Sequence, residues 1–183
     1  DLMKNLGEIS VVIHFLQATF TCSNYDALAK KLIQSLDSLG LNVAVQIIID
    51  NEKLNYFSHD EEGSPLEESV FNYIRQKGRL IDFGQRTAVN YPNISFIIRN
   101  MPTDDKDLHG RIRDHIAIIG QGADSKINTL NSEKLLLKQK DSLNQIFEKI
   151  QNIAITMENT QKDQTASSMA VFQYVAETFE EAF

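Results

Sequence analysis

The chain has 183 residues, a formal net charge of −7 and a hydrophobic fraction of 42%, which suffices for one respectable core with some helix to spare. The acidic balance argues against nucleic-acid binding, because phosphates attract a basic surface. The single cysteine, Cys22, excludes an internal disulfide. Without a signal peptide or a long uncharged apolar run, we expect a cytoplasmic protein with no membrane partner. Since Asp1 and Phe183 both fall inside helical patterns, we expect a piece of a longer protein.

The first predicted helix covers residues 1–21 and carries apolar residues at alternating spacings of four and three. Such a 3.5-residue period requires a partner helix. Val12 and Phe15 widen the apolar face, which predicts that part of the helix packs on the domain that follows. We call the following set the N-terminal seam: Leu2, Leu6, Ile9, Ile13, Leu16 and Phe20.

Residues 22–130 mix helix and strand signals. Ser23-Asn24 predicts a cap for a second helix, and Gly40 predicts its end. A third helix is predicted from Ser64-Pro65, with the serine as N-cap. The turn signal Asp50-Asn51 predicts a hairpin between the first two strands. The predicted strands cover residues 43–49, 53–59, 79–83, 86–91 and 94–101.

Three helical segments are predicted after the last strand. The first begins at Asp104, and its glycines either weaken it or allow another helix to approach closely. Asn131-Ser132 either caps a fresh helix or lies inside a continuous one. The polar stretch 158–168 is either a loop or a heptad stretch with a weak seam, and an apolar stripe follows from Met169 to Phe183. Apolar residues at heptad spacing lie between Asn131-Ser132 and the polar stretch. We call this set the C-terminal seam: Leu136, Leu143, Ile146, Ile150, Ile153 and Met157.

Five strands, with a helix between the second and third and helices beside the sheet, resemble the GAF family of small regulatory domains. The resemblance covers roughly residues 22–130 and rests on element order. The phrase Gly-Arg-Ile-Arg-Asp-His-Ile-Ala-Ile at 110–118, after Asn100-Met101-Pro102, is also similar to a domain that follows receiver domains in bacterial response regulators. The resemblance implies an α+β fold with an antiparallel sheet of five or six strands. Terminal helices would form a dimerising bundle on one sheet face, with a ligand pocket on the other.

Members of that family bind cyclic nucleotides, bilins, haem or small metabolites, or nothing known. This chain lacks the Asn-Lys-Phe-Asp-Glu signature of the cyclic-nucleotide-binding members. Cys22 lies at the end of the first helix, which does not look like a bilin attachment site. We therefore expect no cofactor, and either an unidentified small-molecule ligand or none.

No catalytic or metal site can be assembled from the sequence. The chain offers no nucleophile–base pair, and its histidines lack the helical spacing or the Cys/His pattern of a metal site. The densest polar group is predicted to contact an anionic ligand or to act as a charged switch between the sheet and the terminal helices; alternatively it is a solvated face on which Arg111 pairs with Asp114. This candidate switch comprises Arg111, Arg113, Asp114 and His115.

These features predict a non-catalytic regulatory domain of a bacterial signal-transduction protein, acting as a homodimer. Pairing between copies is expected, because two seams at opposite ends of the chain are hard to satisfy within one small domain. We expect an N-terminal signalling helix (1–21), a GAF-like domain (22–130) and C-terminal output helices (131–183). Neighbouring signalling domains, such as a receiver domain, would be further partners. The alternative is a ligand-free scaffold or adaptor whose C-terminal helix docks a partner.

Overall fold

The computed structural model of the chain describes residues 2–58 and 65–180, with the side chains of all of these except 65–68 and 176–180. It confirms an α+β protein, in which helices flank an open antiparallel sheet that has five strands over the described residues, in the order β2-β1-β5-β4-β3. The helices are α1 (Leu2–Thr19), α2 (Tyr25–Ser38), α3 (Pro65–Ile74) and α4 (Lys106–Glu180), and the strands are β1 (Val43–Ile49), β2 (Glu52–Phe57), β3 (Leu80–Phe83), β4 (Arg86–Asn90) and β5 (Ile94–Ile98).

Local sequence signals explain where these elements begin and end. Asn24 caps α2, since its Oδ1 accepts a hydrogen bond from the backbone N–H of Ala27 at 2.8 Å. Gly40 follows α2 with a φ of 74°, a conformation that favours glycine. Asp50 and Asn51 have φ values of 51° and 71°, as the tight turn of a two-residue hairpin requires. The predicted cap Ser64 lies outside the described residues.

The sheet face toward α1, α2 and α4 carries the larger core. Alternate residues of each strand point to this face, as the pleat of a strand requires. Each large apolar side chain fully buried here contributes about 1.5–3 kcal/mol. Members of this core with less than 2% exposure include Phe15 of α1, Leu28, Leu32 and Leu36 of α2, Phe96 and Ile98 of β5, and Ile116 and Ile119 of α4.

The opposite sheet face packs against α3. Phe71 and Ile74 of α3 meet a short apolar row that crosses the strands at Ala44, Ile97 and Ala88. This second core is small. The next row of the same face is polar and belongs to the candidate site described below.

Helix α1 packs closely on α4. Val12 and Phe15 are buried, so part of α1 packs on the domain as predicted. A Cβ added to Gly122 would lie 2.3 Å from Cδ2 of Leu16. Gly122 therefore allows the close approach of α1, which its position in the sequence had left as one of two interpretations.

The end of the chain corrects the prediction of three separate helical segments, because α4 runs without a break from Lys106 to Glu180. Asn131-Ser132 caps no new helix. The Oδ1 of Asn131 accepts a hydrogen bond from the hydroxyl of Tyr25 at 2.7 Å, and Ser132 donates to the carbonyl of Asn128 within the helix. The stretch 158–168 is helical as well. No glycine or proline follows Gly122 in α4, so nothing interrupts the helix.

The chain divides into two compact units, Asp1–Glu133 and Lys134–Phe183. The first unit holds the sheet, the first three helices and the start of α4. The second unit is the remainder of α4 among the described residues, and its side chains from 134 to 175 are exposed. Among the residues that the structure describes, no helix combines the length and the apolar character needed to cross a membrane.

Candidate functional site

Two members of the candidate switch meet a buried carboxylate. Glu8 of α1 has a side chain only 8% exposed, and its Oε2 accepts a hydrogen bond from Nε of Arg111 at 3.3 Å. The Nε2 of His115 lies 3.6 Å from the same oxygen, close enough for an ion pair when the imidazole is protonated. Because a buried carboxylate is costly without charged partners, this cluster ties α1 to α4.

The other two members behave differently. Nε of Arg113 lies 3.4 Å from Oδ2 of Asp82 on β3, in an ion pair whose side chains are about two-fifths exposed. Such exposed pairs contribute about 0–1 kcal/mol. Asp114 is exposed, and Arg111 pairs with Glu8 instead of with Asp114. The start of α4 is therefore connected to α1 by a buried cluster and to the edge of the sheet by an exposed one.

Most of the N-terminal seam faces away from the core. Leu16 is partly buried against α4, whereas the other five members are exposed. Their exposed fractions are 74% for Leu2, 55% for Leu6, 45% for Ile9, 48% for Ile13 and 84% for Phe20.

The C-terminal seam is exposed along its whole length. It lies in the second unit, where α4 is the helix that the structure describes. Its members have exposed fractions between 52% and 67%: Leu136, Leu143, Ile146, Ile150, Ile153 and Met157.

A row of polar side chains crosses four strands on the sheet face that α3 covers. The register pairs Gln46 of β1 with Asn55 of β2 and with Ser95 of β5, and it pairs Ser95 with Asn90 of β4. Gln46 and Ser95 have no exposed surface. Gln46 donates to Asn55 at 3.0 Å, but Oε1 of Gln46, Oγ of Ser95 and Oδ1 of Asn90 are buried without a partner. Each such group costs about 1–3 kcal/mol, so this polar row needs an explanation.

A cleft of about 660 Å³ lies at the Asn90 end of the polar row. Arg75, which follows α3, has its Nε and Nη2 buried without a hydrogen-bond partner. Burial lowers the pKa of the Arg75 guanidinium from its usual value. We call this the Arg75 cleft; it is lined by Arg75, Gly78, Arg79, Asn90, Tyr91, Pro92, Gln121, Asp124 and Ser125.

The other charged groups of the Arg75 cleft already have partners. The guanidinium of Arg79 stacks on the ring of Tyr91 at 4.6 Å and its Nε donates to the Tyr91 hydroxyl at 2.9 Å. That hydroxyl donates to the carbonyl of Ala117 at 2.6 Å. Oδ1 of Asp124 accepts from the backbone N–H of Asn93 at 2.8 Å. Among the charged residues that line the cleft, Arg75 is thus the one with donors, Nε and Nη2, that lack a hydrogen-bond partner.

Metal ligands do not gather among the described residues, where no group of three or more His, Cys, Asp and Glu side chains lies close together. His14 is exposed beside Ser10, and Cys22 is buried against the carbonyl of Ala18. His59, considered in the sequence, lies outside the described residues, as do the side chains of Phe179 and Phe183 at the end of the apolar stripe.

Sequence reasoning missed Glu8 and the Arg75 cleft. Glu8 had a signal, because it shares a helical face with Val12 and Phe15, four and seven residues on, and a charge on a buried face needs a partner. Arg75 and Asn90 had none. They lie 15 residues apart on different elements, and only the fold brings them to one cleft.

No protein-family model matches this chain, and no curated protein matches it in sequence. The fold itself defines a domain of the α+β class with an open antiparallel sheet between helices. A function is therefore argued from its contacts and exposed surfaces.

Proposed function

We propose that this chain is a non-catalytic regulatory domain of a cytoplasmic signal-transduction protein, GAF-like in architecture, which transmits a signal through the helices of a homodimer. The observation that carries the proposal is the exposed C-terminal seam. The element order, with α3 inserted between the second and third strands, supports the GAF-like part.

A second copy of the chain is the partner that best fits the C-terminal seam. Leu136, Leu143, Ile150 and Met157 recur every seven residues, the repeat that lets two helices interlock along a shared seam. The second unit contributes α4 alone among its described residues, so no other described helix of that unit covers the seam. Such an apolar seam is self-complementary, as a twofold interface requires.

The charged contacts at the start of α4 supply a route for the signal. Glu8 joins α1 to Arg111 and His115, while Arg113 joins α4 to Asp82 on the sheet. A change in the sheet or in α1 therefore acts on α4 through these ion pairs. A signal shifts such an equilibrium only by its differential affinity for the two states, and a coupling of about 1–3 kcal/mol suffices.

Ile150→Glu in the full chain tests the dimer. Placing two like charges in the seam should weaken association by about 3 kcal/mol or more, roughly a hundredfold. Sedimentation velocity should show a dimer for the wild type and a monomer for the variant. Asn152→Glu adds the same charge at an exposed position off the seam and should leave the dimer intact. A wild type that sediments as a monomer at micromolar concentration would refute the proposal.

An adaptor is the second candidate, favoured by the apolar stripe near the end of α4. Met169, Phe172 and Val175 of this stripe are 45–77% exposed, as a helix that docks in a partner's groove would be. A monomeric wild type would favour this function over the first.

A further inference from the structure

Arg75, which lines the cleft, has an unused hydrogen-bonding edge. The Nε and Nη2 nitrogens of Arg75 point from the same edge of the planar guanidinium, the edge that receives the two oxygens of a carboxylate side by side. Both nitrogens are buried without a partner. Burying the donors of a cation without hydrogen bonds costs free energy. An anion that bonds to this edge therefore removes that cost as well as forming two hydrogen bonds.

Asn90, which lines the same cleft, has an unused acceptor. Its Nδ2 donates to the carbonyls of Ile74 at 2.9 Å and Gly78 at 2.7 Å. Because both amide protons are used, the amide cannot flip without losing two bonds, and its Oδ1 remains without a partner. The cleft therefore combines a two-proton donor edge with a fixed acceptor.

Charge and size narrow the class of ligand. Arg75 and Arg79 contribute two positive charges to the lining and Asp124 one negative charge, so the lining favours an anion. The volume of about 660 Å³ is in the usual range for sites that hold small molecules.

We propose that the Arg75 cleft binds a small carboxylate that carries a hydroxyl or ammonium group beside its carboxyl. Because these nitrogens are closed to solvent, the guanidinium of Arg75 turns toward the cleft on binding, and the carboxylate then accepts two hydrogen bonds from its Nε and Nη2. The neighbouring hydroxyl or ammonium donates to Oδ1 of Asn90. All the residues that line the site belong to the first unit, so ligand binding does not require a dimer.

A ligand in the cleft would also contact α4, because this helix contributes Gln121, Asp124 and Ser125 to the lining. A ligand bound there contacts the segment that follows α3, strand β4 and α4 together. Only this coupling of binding to helix packing rests on the proposed function.

Three acids with one carbon skeleton test the site: propionate, lactate and alanine, which differ only in bearing hydrogen, hydroxyl or ammonium beside the carboxyl. Each is titrated into the full chain, and the ¹⁵N-¹H resonance of Arg75 Nε is followed by nuclear magnetic resonance. We expect saturable shifts at millimolar concentration for lactate or alanine, and binding of propionate that is roughly tenfold weaker because Asn90 stays unpartnered.

Three variants keep the experiment decisive. Arg75→Gln should abolish saturable binding, followed through the backbone amide resonances of Asn90 and Gln121. Arg75→Lys keeps the charge but loses the paired donors, and should weaken binding at least roughly tenfold. Arg86→Gln removes the same charge from an exposed arginine outside the cleft and should bind like the wild type. Cooperative melting of each variant establishes that it folds.

The proposal is overturned if none of the three acids binds saturably, if Arg75→Gln or Arg75→Lys binds as tightly as Arg86→Gln, or if propionate binds as tightly as both others. Sedimentation of the same samples separates the two proposals. A monomer that still binds lactate or alanine through Arg75 would refute the dimer and retain the site, and a dimer without binding would do the reverse.

Discussion

The two compact units use the same helix in different ways. In the first unit, the buried hydrophobic side chains of α4 are Ile112, Ile116, Ile119, Ala123, Ile127 and Leu130. The five intervals between them cover 18 residues, an average of 3.6 residues per interval. In the second unit, Leu136 to Met157 covers three steps of seven residues. A 3.6-residue period keeps one face of a straight helix on its own domain, whereas a strict seven-residue repeat favours supercoiling with another helix.

This difference separates two sources of stability. Apart from the exposed members of the N-terminal seam, the first unit buries most of its large apolar residues in a core within one chain, so the unfolding of that core should not depend on protein concentration. The second unit has an apolar seam 52–67% exposed, so any stability it gains from that seam is gained by association and depends on concentration.

The largest expected effect comes from Phe15→Ala, which leaves a cavity in the larger core, beside Gly122 of α4. The free energy of unfolding of the first unit should fall by about 3–5 kcal/mol, measured by urea denaturation. Because Phe15 is 1% exposed within a single chain, the loss should be the same at high and low protein concentration. Leu143→Ala, in the second unit, should instead lower helicity more strongly as the protein is diluted. Equal concentration dependence in both variants would contradict the comparison.

An intermediate effect should come from the ion pairs of the two units. Glu8→Ala leaves Arg111, whose side chain is 34% exposed, without its partner and should cost about 1–3 kcal/mol by urea denaturation. Glu158 pairs with Lys162 at 2.8 Å, but these side chains are 66% and 70% exposed. Glu158→Ala should therefore change stability by no more than about 0.5 kcal/mol. Similar losses in the two variants would show that burial does not set the strength of these pairs.

The smallest effect should come from Asp105, the cap of α4, and it should depend on pH. Backbone N–H groups of Leu108 and Asp107 donate to its Oδ1 at 3.0 Å each, and these bonds hold the pKa of the carboxyl below its usual 3.8. Because the folded-state pKa is depressed, the carboxylate stabilises the fold above 3.8, and this contribution is lost as the pH falls through the folded value. Melting curves of Asp105→Asn, which keeps a capping oxygen, should lose this part of the acid dependence. An unchanged dependence would assign the acid sensitivity to other carboxyls.

The sequence predicted those parts of the fold that are specified by local signals. The first strand is found at Val43–Ile49 as predicted, because a run of β-branched residues ends at a turn whose two residues accept positive φ. After Leu130 the sequence left two interpretations open, a new helix capped by Asn131-Ser132 or a continuous helix, and the structure has the continuous one. Asn131 and Ser132 are good caps in isolation, but here Tyr25, 106 residues away, bonds the side chain of Asn131, and such a long-range contact leaves no local signature.

The candidate site was predicted only in part. Arg111, Arg113 and His115, which the sequence singled out by their clustering, contact residues of other elements, and their role as a switch stays a prediction. Their partners Glu8 and Asp82 could not be paired with them from the sequence, because those contacts span 103 and 31 residues. The same limit applies to the Arg75 cleft.

The contact of Leu16 with Gly122 sets how α1 and α4 can move against each other. Leu16 occupies a space on α4 that exists because Gly122 has no Cβ. The residues one helical turn away on α4, which are Ile118, Ile119, Ser125 and Lys126, all carry one. Sliding α1 along α4 would drive Leu16 into one of these side chains, and turning α1 about its own axis would pull Val12 and Phe15 out of the core. The contact therefore gives α1 one preferred axial position on α4.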